Sequence, residues 1–468
     1  MKKFKTVIAA MMVALCALSA GARVKYIFYF IGDGMGMGHV NATETYNRDV
    51  LGNGSPILMM QFPVATQVRT YSFDRSITDS AAAGTALSTG HKTRNGMVGM
   101  APDSTSVCSI TTSLLEAGYA IGIASTVAGD DATPGSFYGH AVNRGLSGEI
   151  SAYAPKSGFS FFGAPVFKGM KGKDGSKTGW VDSMKEAGYA VVRSLSSYSA
   201  LSGDTDKVLM LASNPQGEQV GYTIDSIPGT LTAEEITRTA LAQLYKEGKD
   251  NGFFLMMEGG NIDWASHAND GATVIREVMN FQKAIDVAYR FYFAHPDETL
   301  IVVTADHDTG GMALGRSGTK IPDLSLVDFQ RISKDRFSDY CKSLIAGGGE
   351  LSWDSMKTFL TENTGLWGAV ALTDEETARL RDSFEAAMLS RKSADEKGLY
   401  NSFNRFSVDV FDMINSKYGI GWTTGSHTGN PVPLFAVGRD AMLFTKALDN
   451  TEIPQLILKA AGIDSFSR

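Results

Sequence analysis

Short apolar runs that stop abruptly at an acid or an imidazole recur along this chain, and that recurrence limits the fold more than any single motif does. The clearest is Thr299–Thr304, followed by Ala305-Asp306-His307-Asp308-Thr309. A run this short and this rich in β-branched residues is a buried strand rather than a buried helix. Ahead of it Gly271–Phe293 carries the spacing of a long amphipathic helix. Helices alternating with apolar strands build a parallel sheet covered on both faces. In such sheets ligands bind just beyond the carboxyl ends of the strands, where Asp306 and His307 fall.

The same punctuation appears elsewhere. Lys25–Ile31 stops at Gly32-Asp33-Gly34-Met35-Gly36, and Phe253–Met257 stops at Glu258-Gly259-Gly260. Val64–Ser72, Tyr119–Ala124, Tyr189–Val192, Val208–Ala212 and Val432–Val437 also read as strands. Ser109–Ala117 and Val181–Ala187, each closed by a glycine, read as helices, and Thr232-x-x-Glu235 is a capping box opening a helix to Lys249. The expected fold class is α/β: a large, mostly parallel central sheet with helices on both faces. From about 313 to 420 apolar strands thin out, and Thr373-x-x-Glu376 opens a charged helix. This stretch is expected to be an insertion forming a lid or crown over the strand ends, within one catalytic domain spanning 23–468. Apolar residues at 43% and charged residues at 20% leave ample material for such a core.

At the amino terminus Lys2, Lys3 and Lys5 precede an apolar run, Val7–Leu18, and then Ala20-Gly21-Ala22. That order reads as a secretory signal peptide over 1–22 and implies export, to a periplasm. The run is about 12 residues, too short to span a membrane, which takes ~20. A competing reading makes Cys16 a lipid attachment site, although Leu15 before it is larger than a lipoprotein peptidase usually accepts. Cys108 and Cys341, the other two of three cysteines, are expected as small buried hydrophobes, and no Cys-x-x-Cys offers a thiolate metal site. The net charge of −7 and the lack of a basic block argue against nucleic acid as a partner.

Carboxylate and imidazole without thiolate suit Zn2+, whereas the oxygen set Asp33, Thr133 and Glu258 suits Mg2+. Asp263 and His267 stand at i and i+4, so a helical turn points both one way, toward a single metal. His427 lies in Thr424-Gly-Ser-His427-Thr-Gly, just before the last strand. In Asp79-Ser80-Ala-Ala-Ala-Gly a helix is expected to begin near Ser80, putting its hydroxyl where the helix dipole favours negative charge. The competing reading of Ser80 is an ordinary N-cap. In Asp130-Asp131-Ala-Thr133-Pro134, Thr133 is expected at a cap and Pro134 at a first helical position, with the helical stretch reaching Arg144. His39, His91, His140 and His295 are read as turn, surface or core residues.

Taken together and in this order, Ile-Gly-Asp33-Gly-Met-Gly, Thr-Asp-Ser80-Ala-Ala-Ala-Gly-Thr-Ala, Asp131-Ala-Thr133-Pro, Arg144, Glu258-Gly-x-x-Ile-Asp263-x-x-x-His267, Thr-Ala-Asp306-His307 and Gly-Ser-His427-Thr-Gly resemble the alkaline phosphatase family. The resemblance runs from Lys25 to about Val437. It implies hydrolysis of small phosphate monoesters with two Zn2+ and one Mg2+. Asp263, His267 and His427 would hold one zinc; Asp33, Asp306, His307 and deprotonated Ser80 the second; Asp33, Thr133 and Glu258 the magnesium. Ser80 would pass through a phosphoserine intermediate while Arg144 clamps the phosphate. Asp79 is expected to position the nucleophile, and Asp131 to stand behind the ligands and favour magnesium in the third site. Trp264, a substrate-side position where family members differ among Lys, His and Trp, would remove a water-mediated cationic contact to phosphate. The family also admits a homodimer. A phosphodiesterase of the same superfamily is the alternative activity, and an inert metal-binding envelope protein the alternative from another class.

Overall fold

The computed structural model describes residues 23–318, 321–349, 351–390, 395–399 and 401–467. The expected signal peptide, with Cys16, lies outside the described residues. Ten strands form the main sheet: β1 Tyr26–Ile31, β2 Val64–Arg69, β3 Ala120–Ser125, β4 Phe161–Ala164, β5 Tyr189–Val192, β6 Lys207–Leu211, β7 Phe253–Glu258, β8 Thr299–Thr304, β9 Val432–Gly438 and β10 Leu448–Asp449. Their order is β10-β2-β9-β8-β1-β7-β3-β4-β6-β5. β9 runs antiparallel to β2 and β8, and every other pairing in the sheet is parallel. The mostly parallel, helix-flanked sheet is the architecture expected from the alternating pattern. β4 is a strand that the sequence reading did not single out.

The central strands are buried along their whole length, as their unbroken apolar runs require. Phe28, Phe30, Phe253, Phe254 and Val302 have no exposed surface, and helices Ala233–Glu247 and Gly271–Ala294 pack together over this core. Register then sets the site. Ile31 pairs with Thr304 on one side and Glu258 on the other, and Glu258 pairs with Ser125. Four strands therefore end in one row, at the usual spacing of about 4.8 Å. The acids that follow have no choice but to gather.

Two local expectations are corrected. The helix at Ala132–Gly135 is a single turn capped by Asp131, not by Thr133, and Arg144 lies beyond it in a turn. The chain leaves the helix because Ala141 pairs with Val98 across an antiparallel bridge, and Arg144 N then donates to Gly96 O. Thr232 caps its helix through Glu235 N, yet Glu235 does not complete the box; its carboxylate accepts from Leu195 N instead. The box at Thr373 and Glu376 is reciprocal. Cys108 and Cys341 are unbridged.

Residues 313–420 form an excursion whose ends meet, since Ala313–Leu314 pairs antiparallel with Ile420–Gly421. It contains helices Lys334–Ala346, Trp353–Thr364, Asp374–Phe384 and Arg405–Tyr418 and a hairpin of Asp395–Lys397 with Ser402–Asn404. Buried Asp270, the cap of helix Gly271–Ala294, ties it down by accepting from Gln330 Nε2 and Lys334 N, each at 2.8 Å. Among the described residues no helix is long and apolar enough to cross a membrane.

Candidate active site

Ser80 opens helix Ser80–Thr89 but does not cap it. Asp79 does, its Oδ1 accepting from Ala82 N at 3.0 Å while Oδ2 accepts from Gly96 N at 3.0 Å. The N-cap reading of Ser80 is thereby set aside, because the helix end is already satisfied. The buried Ser80 Oγ instead lies 3.1 Å from His307 Nε2 and accepts from Arg144 Nη1 at 3.3 Å. The helix amino terminus and the Arg144 guanidinium each favour negative charge on this oxygen.

Around it four carboxylates converge from the ends of three strands: Asp33 after β1, Glu258 and Asp263 at and after the end of β7, and Asp306 after β8. Asp306 Oδ1 accepts from Gly34 N at 3.1 Å, and its Oδ2 accepts from Thr133 Oγ1 at 3.3 Å. His307 Nε2 stands 3.2 Å from Asp306 and 3.4 Å from Asp33. Glu258 accepts from Ser125 Oγ. Asp263 accepts from Thr309 Oγ1 at 2.5 Å and lies 3.3 Å from His267 Nε2. Such crowding needs close backbone approach: Gly34 has φ +71, and a Cβ there would meet Asp263 Oδ1 at 2.8 Å.

The imidazoles are oriented by carbonyls. His267 Nδ1 bonds Gly425 O at 2.7 Å, and His427 Nδ1 bonds Thr78 O at 3.0 Å. A carbonyl only accepts, so each Nδ1 carries a proton, and in the neutral ring each Nε2 turns a lone pair inward. Those two Nε2 atoms face each other at 3.2 Å beside Asp263. His307 stacks on His427 with ring centroids 3.6 Å apart, between the two groups. Ligand atoms of Asp33, Asp306 and His307 lie within 4.8 Å of one another, as do those of Asp263, His307 and His427.

Electrostatics expose what the cluster lacks. Burial, reinforced by neighbouring acids, pushes the Asp33, Asp306 and Glu258 carboxyls above their usual range. Burial works on Asp263 as well, but His267 and His427 overcome it and hold that carboxyl low. Burial, and the neighbouring imidazole of His427, keep His307 neutral. Asp33 Oδ1 and Asp263 Oδ2 are buried oxygens without a hydrogen-bond partner. Inward lone pairs and orphaned carboxylate oxygens together form a donor set for cations.

On the far side of Ser80, Arg144 reaches Asp131 Oδ1 with Nη2 at 3.1 Å and lies 3.8 Å from Asp79. Asp131 thus meets Arg144 while capping the turn that carries Thr133. Trp264, half-buried, lines a cavity of about 770 Å³ together with Glu218, Tyr222, Asp335 and Arg336. Three polar residues here escaped the sequence reading: Ser125 beneath Glu258, Thr309 beneath Asp263, and Lys168, whose Nζ is 3.3 Å from Asp131 Oδ2. Ser125 and Thr309 close or follow apolar runs, which is a usable signal. Lys168 has none, for it lies in a turn of a stretch with no chemical pattern.

The sequence model described as alkaline phosphatase matches residues 24–160 and 160–463. Alkaline phosphatase 3 of Bacillus subtilis is 32% identical over 447 residues, covering 93% of this chain and 89% of that protein. Among solved structures, the cold-active alkaline phosphatase of a psychrophilic Shewanella species superposes with a TM-score of 0.76 at 27% identity, covering 93% of this chain and 99% of that one. The Thermus thermophilus alkaline phosphatase shares the fold, with a TM-score of 0.74 at 24% identity over 95% of this chain and 92% of that one. With its strand ends, its serine and its clustered acids in the places just described, this chain belongs to the alkaline phosphatase family.

Proposed function

We propose that the chain hydrolyses phosphate monoesters through a phosphoserine at Ser80, with two zinc ions and one magnesium ion as cofactors. The observation that carries the reading is the placement of the Ser80 hydroxyl, held between Arg144 and His307 at a helix amino terminus and spared from capping by Asp79. The donor set fits such ions: buried acids pushed toward protonation, two orphaned carboxylate oxygens and two inward imidazole lone pairs all call for divalent charge. Asp263, His267 and His427 would hold one zinc, and Asp33, Asp306 and His307 the other, with Ser80 joining it. Asp33, Thr133 and Glu258 offer oxygen alone and would hold magnesium. When bound, the ions supply Lewis acidity that ionises the serine hydroxyl and offsets charge on the entering and leaving oxygens.

The chain's own groups do the remainder. Ser80 Oγ bonds to phosphorus as the bond to the alcohol oxygen breaks, and the alcohol leaves with a proton from water. Arg144 presents a planar fork to the non-bridging oxygens, which carry the spread charge. Asp79 and Asp131 hold that fork from either side. Water then attacks the phosphoserine, releasing phosphate and restoring the hydroxyl. Trp264 would border the alcohol, residues 313–420 would form the lid beside it, and residues 1–22 would direct export to a periplasm.

The test compares a monoester and a diester of one chromogenic alcohol, with protein stripped by chelation and with protein reloaded with zinc and magnesium. Reloaded protein is expected to favour the monoester. Ser80→Ala should lose at least about 10³-fold in turnover while still binding zinc. Faster diester cleavage, or full turnover in Ser80→Ala, overturns the reading.

A further inference from the structure

Arg144 cannot attract a phosphate dianion unaided. It lies 3.8 Å from Asp79 and 3.1 Å from Asp131, so those three side chains sum to one negative charge on the side of the pocket meant to receive an anion. A fourth side chain alters the balance. Lys168 Nζ stands 3.3 Å from Asp131 Oδ2, on the opposite carboxylate oxygen from Arg144. Asp131 is shared between two cations.

The placement of Lys168 is built, not incidental. The neighbouring acid, Asp130, has no exposed surface and spends both carboxylate oxygens on the main chain of the Lys168 turn: Lys168 N donates to Oδ1 at 2.7 Å and Gly169 N to Oδ2 at 2.8 Å. Gly169 admits nothing larger, since a Cβ there would fall 1.8 Å from Ser151 Oγ. Phe167, just before the turn, stacks on Trp180 with centroids 4.4 Å apart. Of two consecutive acids, one fixes the backbone of this turn and the other receives its ammonium. On its outer side the ammonium also meets Glu218 at 3.0 Å, a half-exposed carboxylate on the rim of the cavity that Trp264 lines.

We infer that Lys168 is a positioning residue for phosphate binding, drawing on Asp131 so that this carboxylate holds the anion-receiving Arg144 guanidinium less tightly, and that Glu218 restrains it. The inference rests on the phosphate-ester reading of the Ser80 site. Its logic gives two neighbours opposite signs. Loss of the ammonium leaves Asp131 to Arg144 alone and weakens anion binding. Loss of the Glu218 charge returns the ammonium fully to Asp131 and strengthens it. Because Glu218 would act only through Lys168, its effect should vanish when Lys168 is gone, a coupling that a double-mutant cycle detects.

The experiment is calorimetric titration of inorganic phosphate into zinc- and magnesium-loaded protein, with KM and kcat for a monoester alongside. Lys168→Met is expected to weaken phosphate binding about tenfold and to raise KM more than it lowers kcat. Lys168→Arg should recover most of the loss. Glu218→Gln should tighten binding about threefold, and the double variant should match Lys168→Met. A cooperative thermal transition in Lys168→Met shows that the fold survives, and Glu218→Gln changes only a half-exposed group in any case. Unaltered phosphate affinity in folded Lys168→Met overturns the inference, and so does a Glu218→Gln effect that persists in the double variant. Phosphate binding that depends on Lys168 in a protein without monoesterase activity would instead sink the proposed reaction and leave this inference standing.

Discussion

Stripped of divalent cations, the protein should become less stable as pH rises from 6.5 to 8. Asp33, Asp306 and Glu258 are buried, and burial raises their carboxyls, Asp306 to about 7 and Glu258 to about 8. In the unfolded chain all three are ionised above pH 6.5. The stripped native state therefore binds more protons, and stability falls with pH through this window. Asp263, held low, is ionised in both states there and contributes nothing. His307 and His427, both pushed down, oppose the trend only below about 6.5, where free imidazoles take up protons. His267, pushed up by Asp263 despite its burial, adds to the trend. Between one and two excess protons over ~1.5 pH units, at about 1.4 kcal/mol per proton per unit, give about 3 kcal/mol, or about 3 °C in Tm for a chain of this length. Loaded protein should behave oppositely, because ligands must lose their protons to bind cations. Scanning calorimetry of both forms at a fixed scan rate reads the difference. Buried Asp130 and half-buried Asp335, each raised to about 7 by desolvation, act alike in both forms and cancel. A gap between loaded and stripped Tm that stays constant or narrows toward pH 8 would refute the reasoning.

Two substitutions separate binding from support. Arg144→Ala should lower kcat/KM for a monoester about 10²-fold, and Arg144→Lys about tenfold, because a lone ammonium keeps the charge but not the fork; equal losses would show that charge alone matters there. Ser125→Ala leaves buried Glu258 and Val127 N without their shared partner, so denaturant unfolding of stripped protein should show a loss of about 2–3 kcal/mol; an unchanged midpoint would mean that another group satisfies both.

Much of this arrangement was legible because one sequence signal carries both fold and chemistry. A strand such as Tyr26–Ile31 or Thr299–Thr304 announces itself by an unbroken apolar run, and where the run stops the chain must be at the sheet edge that receives ligands. Asp33, Glu258, Asp306 and His307 are placed by that rule. Asp263 and His267 are placed by helical spacing, and α-helix Asn261–His267 sets them side by side. The rule fails where a residue is positioned by contacts far along the chain. Arg144 takes its place from a bridge between Ala141 and Val98, and no local pattern foretells a partner more than forty positions away. Thr133 looks like a cap and Pro134 like a first helical residue, yet Asp131 takes the cap because its carboxylate can accept from Ala132 N and still meet Arg144. Lys168 reaches Asp131 from a separate turn.

Main-chain groups of one loop orient the side chains of another throughout this site, and that bears on how it stays in shape when empty of charge compensation. Thr78 O, two residues before Ser80, receives His427 Nδ1. Gly34 N holds Asp306, and Gly34 O receives Thr309 N, whose own hydroxyl holds Asp263. A displacement of the Ser80 loop would therefore rotate His427, and a displacement of the Gly34 turn would move Asp306 and Asp263 together. Acids tied in this way cannot spread apart to relieve their repulsion, which adds to burial in raising the carboxyls of Asp33 and Asp306. The same rigidity keeps serine, imidazoles and carboxylates within a few ångströms of their working positions before any cation arrives.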